Sequence, residues 1–264
     1  MDVSSRLSRL VNTDGAEYVL VLRVEDIRWL TGFTGGTAQL LVSRSNHEAW
    51  LLVDGRYFER AVDETTASHA SVHIERVVPD VSTDEMVARI VGASTVAVDP
   101  THLTAHFMSV LQSHCTVVYE RTQLDDLRRV KDESEISLIE VAAGIADDAL
   151  AMVVADGLAG KTEKQIRNRL DHLMREAGAD DVAFATIVAT GPLGARPHHE
   201  PSDAVVEDGH GVVIDFGAMV QGYKSDMTRT IRVGVVSVEY QRMFDLVIEA
   251  EAAGVAAAAA AAAG

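Results

Sequence analysis

Cysteine is almost absent. The single Cys115 cannot form an internal disulfide, which excludes the small disulfide-stapled scaffolds. Proline is scarce, at 5 residues beside 19 glycines, so a collagen-like repeat is excluded. Basic residues are in deficit, 23 against 40 acidic ones, giving a net charge of −17. Such a surface repels phosphate backbones and anionic lipids, so neither nucleic acid nor a membrane is expected as a partner. Long apolar runs are missing too. The longest, Val255 to Ala263, is too short and too weakly hydrophobic to span a bilayer. The opening Met1-Asp2-Val3-Ser4-Ser5 has neither the basic head nor the apolar core of a secretory signal, and a cytoplasmic protein is expected. Cys115, between His114 and the strand-like Thr116 to Tyr119, is read as a core residue rather than a nucleophile.

What remains is a globular composition, 47% hydrophobic and 24% charged over 264 residues, enough for one or two domains. The first half alternates strand and helix signals. Tyr18 to Leu22 has buried-strand length, and Ala38 to Ser43 with Ala49 to Val53 flank a polar turn at Ser45-Asn46-His47 and read as a hairpin. Val72 to Val77, Thr95 to Val98 and Thr116 to Tyr119 are further short strands, and Ser82 with Glu85 is a capping box opening a helix. This predicts an α/β domain over residues 1–122. The charged stretch Asp125 to Glu135 reads as a solvated helix start. Thr162 with Gln165 caps a helix through Ala177, with Gly178 at its C-terminal end. Strands are then predicted at Phe184 to Ala189, Val212 to Phe216 and Met227 to Val233, so residues 123–264 read as α+β.

The chemistry-bearing segment runs from Arg196 to Thr230. A hairpin closed around Val220-Gln221 would place Asp215 opposite Asp226, with Cβ atoms about 4.5–5.5 Å apart. Two carboxylates so close repel unless one is protonated or a cation lies between them. Thr228 and Thr230 share their face, while Ile214, Phe216, Met227 and Ile231 point to the other. Two aspartates on a solvated sheet face would be the bland alternative, but Val212-Val213-Ile214 before Asp215 marks an internal strand.

The segment Pro197-His198-His199, Ile214-Asp215-Phe216-Gly217 and Gly222-Tyr223-Lys224-Ser225-Asp226-Met227-Thr228-Arg229-Thr230 resembles the pita-bread metallopeptidases of the aminopeptidase P and Xaa-Pro dipeptidase group. Leu30 to Gly35 and Val53-Asp54-Gly55-Arg56-Tyr57 look like a creatinase-type N-terminal domain, and Arg129 to Ile136 like the junction that follows it. The resemblance implies an α/β creatinase-like domain followed by an α+β pita-bread domain. It also implies a pair of divalent ions bridged by hydroxide, Asp215 chelating one and Asp226 bridging both. Oxygen-rich ligation favours Mn²⁺, with Co²⁺ or Zn²⁺ as alternatives. His198 would contact substrate and steady developing negative charge; His199 would line the pocket. The implied substrates are short peptides or Xaa-Pro dipeptides.

Two departures stand out. His210 replaces the family's usual Asp in a Gly-Asp pair, as a loop substitution. The family's other ligands, one His and two Glu, are expected from later strands, yet no histidine follows His210 and the last acids, Glu239, Asp245, Glu249 and Glu251, cluster on one helix. The pita-bread domain is therefore expected to be incomplete, truncated at its C-terminus, and inactive by itself. A non-catalytic remnant or binding module on the same scaffold is the competing reading, and a creatinase-like amidinohydrolase is a weaker one. An uncovered apolar face would drive a homodimer or larger homo-oligomer.

Overall fold

The computed structural model describes residues 3–78, 80–120 and 124–263. It divides into two compact units, Met1–Lys131 and Asp132–Gly264. The boundary expected between residues 122 and 123 lies outside the described residues.

The first unit contains α1 (Ser4–Val11), β1 (Tyr18–Val21), α2 (Val24–Thr31), β2 (Gln39–Ser43), β3 (Ala49–Asp54), α3 (Phe58–Ala67), β4 (His73–Val77), α4 (Thr83–Val91), β5 (Thr95–Val98), α5 (Ala105–Gln112), β6 (Thr116–Tyr119) and α6 (Leu124–Arg129). The strands form one mixed sheet in the order β4-β3-β2-β1-β5-β6. Strand alternation sends neighbouring residues to opposite faces. Val19, Val21, Leu40, Val42, Leu51 and Val53 accordingly pack with α1, α2 and α3. Leu20, Leu41, Leu52, Val96 and Val98 pack with α4 and α5. Both faces are covered, which is why these strands read as continuous apolar runs. The Ser82–Glu85 capping box forms in both directions. Cys115 is half-buried, its Sγ donating to the Leu111 carbonyl at 3.1 Å, and burial pushes its thiol pKa up. A core role fits; a reactive thiolate does not.

The second unit contains α7 (Glu133–Ala155), α8 (Glu163–Glu176), β7 (Asp181–Val182), β8 (Ile187–Thr190), a 3₁₀ turn (Gly191–Ala195), β9 (Gly211–Phe216), β10 (Ala218–Val220), β11 (Tyr223–Lys224), β12 (Met227–Arg232) and α9 (Val238–Ala263). Its strands make two three-stranded sheets, β11-β10-β7 and β12-β9-β8. Ala146, Ala149 and Val153 of α7 and Ile166, Leu170, Leu173 and Met174 of α8 meet Val188, Val212, Ile214 and Phe216 in one core. The buried face of α7 is made mostly of small side chains, Ala142, Ala146 and Ala149. Asp132 and Glu135 close a capping box on α7, so the charged stretch is a built helix start rather than a merely solvated one. The Thr162–Gln165 box opens α8, and Gly178, at φ +104°, follows its end. Along α9, Met243, Leu246, Val247, Ile248 and Val255 are exposed. No helix among the described residues is long and apolar enough to cross a membrane.

Candidate metal centre

One hairpin builds the candidate site and belongs to both small sheets. Its tip is a two-residue turn: Val220 pairs with Tyr223, and between them Gln221 and Gly222 have φ +47° and +80°. Two positive φ values are the signature of a type I′ turn, which matches the strand twist and favours glycine. The turn is therefore centred one residue later than Val220-Gln221. Asp215 consequently pairs with Thr228, not with Asp226, and Thr228 Oγ1 donates to Asp215 Oδ1 at 2.8 Å. This corrects the expected register. Moving a turn's centre by one residue moves each partner by two, which conserves the facing of every side chain. Phe216 now opposes Met227, and Val212 opposes Ile231, both pairs on the core side as alternation requires.

Asp226 precedes β12 directly and is exposed; Asp215, in β9, is half-buried. The Met227–Phe216 pair lies between them, and on the tip side of Asp226 the same pairing resumes, the Ser225 N–H donating to the Ala218 carbonyl at 3.0 Å. Asp226 thus takes the diagonal position to Asp215, a separation of about 7–8 Å between Cα atoms in a regular ladder. That spacing leaves room for a cation between two carboxylates and relieves the repulsion of a directly opposed pair.

Side-chain hydrogen bonds to α7 lock the hairpin in place. Ser225 Oγ donates to the Ala142 carbonyl of α7 at 3.1 Å, and the Ala218 N–H lies 3.0 Å from the same Oγ. Tyr223 Oη donates to Glu135 Oε1 at 2.8 Å, joining the tip to the α7 capping box. At Gly217 no side chain fits, because a Cβ would stand 2.0 Å from the Ser225 carbonyl oxygen.

His198 lies in the loop after the 3₁₀ turn and is exposed. His199 behaves differently. Its Nε2 is 2.8 Å from Glu163 Oε2, with both side chains nearly excluded from solvent. Glu163 also accepts from the Thr190 N–H at 2.8 Å, the Ser202 N–H at 2.8 Å and Ser202 Oγ at 2.7 Å. Burial by itself would raise the Glu163 pKa, but hydrogen bonds from His199, Thr190 and Ser202 outweigh it and hold the carboxyl below its usual range. Sequence reasoning missed Glu163. Its position behind the Thr162 cap is ordinary for a helix start, and its partners are 27, 36 and 39 residues away. His210 packs beside the same turn, its Nδ1 3.2 Å from Thr190 Oγ1.

Among the described residues no group of three or more His, Cys, Asp or Glu is poised to hold a metal ion. A divalent ion usually takes four to six ligands, so Asp215 and Asp226 fit part of a metal site and not a whole dinuclear one.

Residues 137–264 match the metallopeptidase family M24, and residues 4–130 match the creatinase/prolidase N-terminal domain. The uncharacterized peptidase YqhT of Bacillus subtilis is 31% identical over 255 residues, covering 95% of this chain and 70% of that protein. An Xaa-Pro dipeptidase of Pyrococcus horikoshii is 41% identical over 126 residues, 48% of this chain and 36% of its own length. The solved Xaa-Pro dipeptidase from Bacillus anthracis superposes with a TM-score of 0.83 at 30% identity, over 93% of this chain and 68% of that one. The X-Pro aminopeptidase from Thermotoga maritima gives a TM-score of 0.81 at 30% identity, over 93% and 70%. On these grounds the chain belongs to metallopeptidase family M24, with a creatinase/prolidase N-terminal domain.

Proposed function

We propose that the protein is an Xaa-Pro metallopeptidase in which Asp215 and Asp226 are metal ligands and His198 faces the substrate. The observation that carries this is the single hairpin bringing both aspartates onto its polar side, with an apolar face packed beneath. Relatives that include Xaa-Pro dipeptidases and an X-Pro aminopeptidase support peptide substrates with proline after the scissile bond. The all-oxygen ligand pair favours Mn²⁺, with Co²⁺ or Zn²⁺ as substitutes. A cytoplasmic homodimer or larger homo-oligomer completes the proposal. The 264 residues by themselves are proposed to be inactive, because two carboxylates neither hold nor orient a hydroxide between two ions.

The test is hydrolysis of an Xaa-Pro dipeptide with Mn²⁺, Co²⁺ or Zn²⁺. The 264-residue chain should give only background, whereas a fusion to the C-terminal part of a solved relative should turn over. His198→Ala or Asp215→Ala should remove most of the fusion's activity. Metal-dependent turnover by the 264-residue chain, lost on Asp215→Ala, would overturn the inactivity. A folded, inactive fusion would favour a binding module on the same scaffold.

A further inference from the structure

We propose that Glu163 is a positioning residue for His198, acting through the loop that carries it; this rests on the placement of His198 at the substrate made above. Glu163 opens α8 and is fully buried. Its Oε1 accepts from the Thr190 N–H at 2.8 Å, while Oε2 gathers His199 Nε2, the Ser202 N–H and Ser202 Oγ at 2.7–2.8 Å. These partners bracket the loop. Thr190 stands directly before the 3₁₀ turn, His199 directly after His198, and Ser202 closes the segment.

A buried carboxylate that loses a donor is costly, so the ends of this segment cannot drift independently. Backbone pairing anchors the exit: the Lys164 N–H donates to the Ser202 carbonyl at 3.2 Å and the Glu163 N–H to the Ala204 carbonyl at 3.1 Å. The 3₁₀ turn rests on the polar side of the hairpin, since a Cβ at Gly194 would lie 3.2 Å from Val213 Cγ2. Val213 lies two residues from Asp215 on β9 and therefore shares its face. Drawing His199 inward to Glu163 leaves His198 exposed, on a loop whose near end lies over the Asp215 face and whose far end Glu163 fixes.

The experiment uses the full 264-residue chain with isotope-labelled histidine, the variants Glu163→Gln and His199→Leu, and Mn²⁺ as the probe. His199→Leu is included because Glu163 then keeps its Thr190 and Ser202 donors, so the unit folds even where Glu163→Gln does not. Both variants should raise the mobility of the His198 ring and speed amide exchange at Ser202 on the order of tenfold. A lowered Tm with His198 ring relaxation unchanged in both variants would mean a packing role alone and would overturn the proposal. Substoichiometric Mn²⁺ provides the second arm. Broadening of the wild-type His198 signal, abolished by Asp215→Asn and several-fold weaker in His199→Leu, supports both the clamp and the site. Absence of that broadening in the wild type removes the metal site, while the relaxation arm still decides the clamp.

Discussion

Gly217 and Ser225 approach so closely that a single added methyl group at Gly217 would lie 2.0 Å from the Ser225 carbonyl oxygen. The obstruction is backbone, which cannot rotate away as a side chain can. Gly217→Ala should destabilise the second unit by about 2 kcal/mol or more, read as a lower urea midpoint. The same substitution at Gly144, where nothing lies within 4 Å, should be neutral or stabilising, since alanine is the better helix former.

Glu163 should give stability a marked pH dependence. Burial pushes its pKa up, but the bonds from His199, Thr190 and Ser202 win, so the folded value is lowered. A depressed carboxylate contributes fully above its unfolded pKa and loses that contribution as pH falls through the folded value. Glu163→Gln should cost about 2–4 kcal/mol near neutral pH. The gap to wild type should narrow in acid, as thermal melts across pH would show; a constant gap would contradict the assignment.

Asp171 should behave in the opposite sense. Burial raises its pKa, more than the Thr186 hydrogen bond and the charges of Arg175 and Arg167 lower it. Ionising it therefore costs stability as pH rises from the ordinary carboxylate value through the raised one. Asp171→Asn should be more stable than wild type at neutral pH, because an amide oxygen can still accept from Thr186 Oγ1, now 2.6 Å from Asp171 Oδ1. In strong acid the advantage should vanish.

Mn²⁺ binding by the 264-residue chain should be weak, about millimolar, as expected of a site with few protein ligands. Asp226→Asn should weaken it further in titration calorimetry. Thr228→Val, which releases Asp215 Oδ1 from its hydrogen bond, should leave it unchanged or slightly tighter. Sub-micromolar binding of two ions per chain would contradict this.

The exposed Met243, Leu246, Val247 and Ile248 of α9 should make the chain self-associate, since contiguous apolar surface favours contact. Sedimentation should show a concentration-dependent shift, reduced by replacing Leu246 and Val247 with serine. A monomer at all concentrations would rule this out.

Local signals were the legible ones. The boxes Ser82–Glu85 and Thr162–Gln165 are visible because each partner lies three residues from the other. The strands of the first unit showed as short apolar runs because helices cover both faces of their sheet. The facing of Asp215, Thr228 and Thr230 was readable from strand alternation, but the register was not. It depends on which pair of residues adopts positive φ, and Gln221 is an unusual occupant of that conformation. The cap on α7 was hidden among the charges between Asp125 and Glu135, where Asp132 looks like any other acid. Glu163 stayed invisible for a different reason: what makes it unusual is supplied by Thr190, His199 and Ser202, and folding alone brings them together.

The two-residue tip at Gln221-Gly222 also imposes a counting rule on natural and engineered length variants. Adding or deleting one residue there would roll β12 over, burying Thr228 and Thr230 and turning Met227 and Ile231 outward, unless a bulge absorbed the change. Adding two would lengthen the tip and leave every side chain facing as before. Homologues and insertion libraries should therefore accept length changes in this hairpin chiefly in even steps, with odd steps surviving only where a bulge accompanies them.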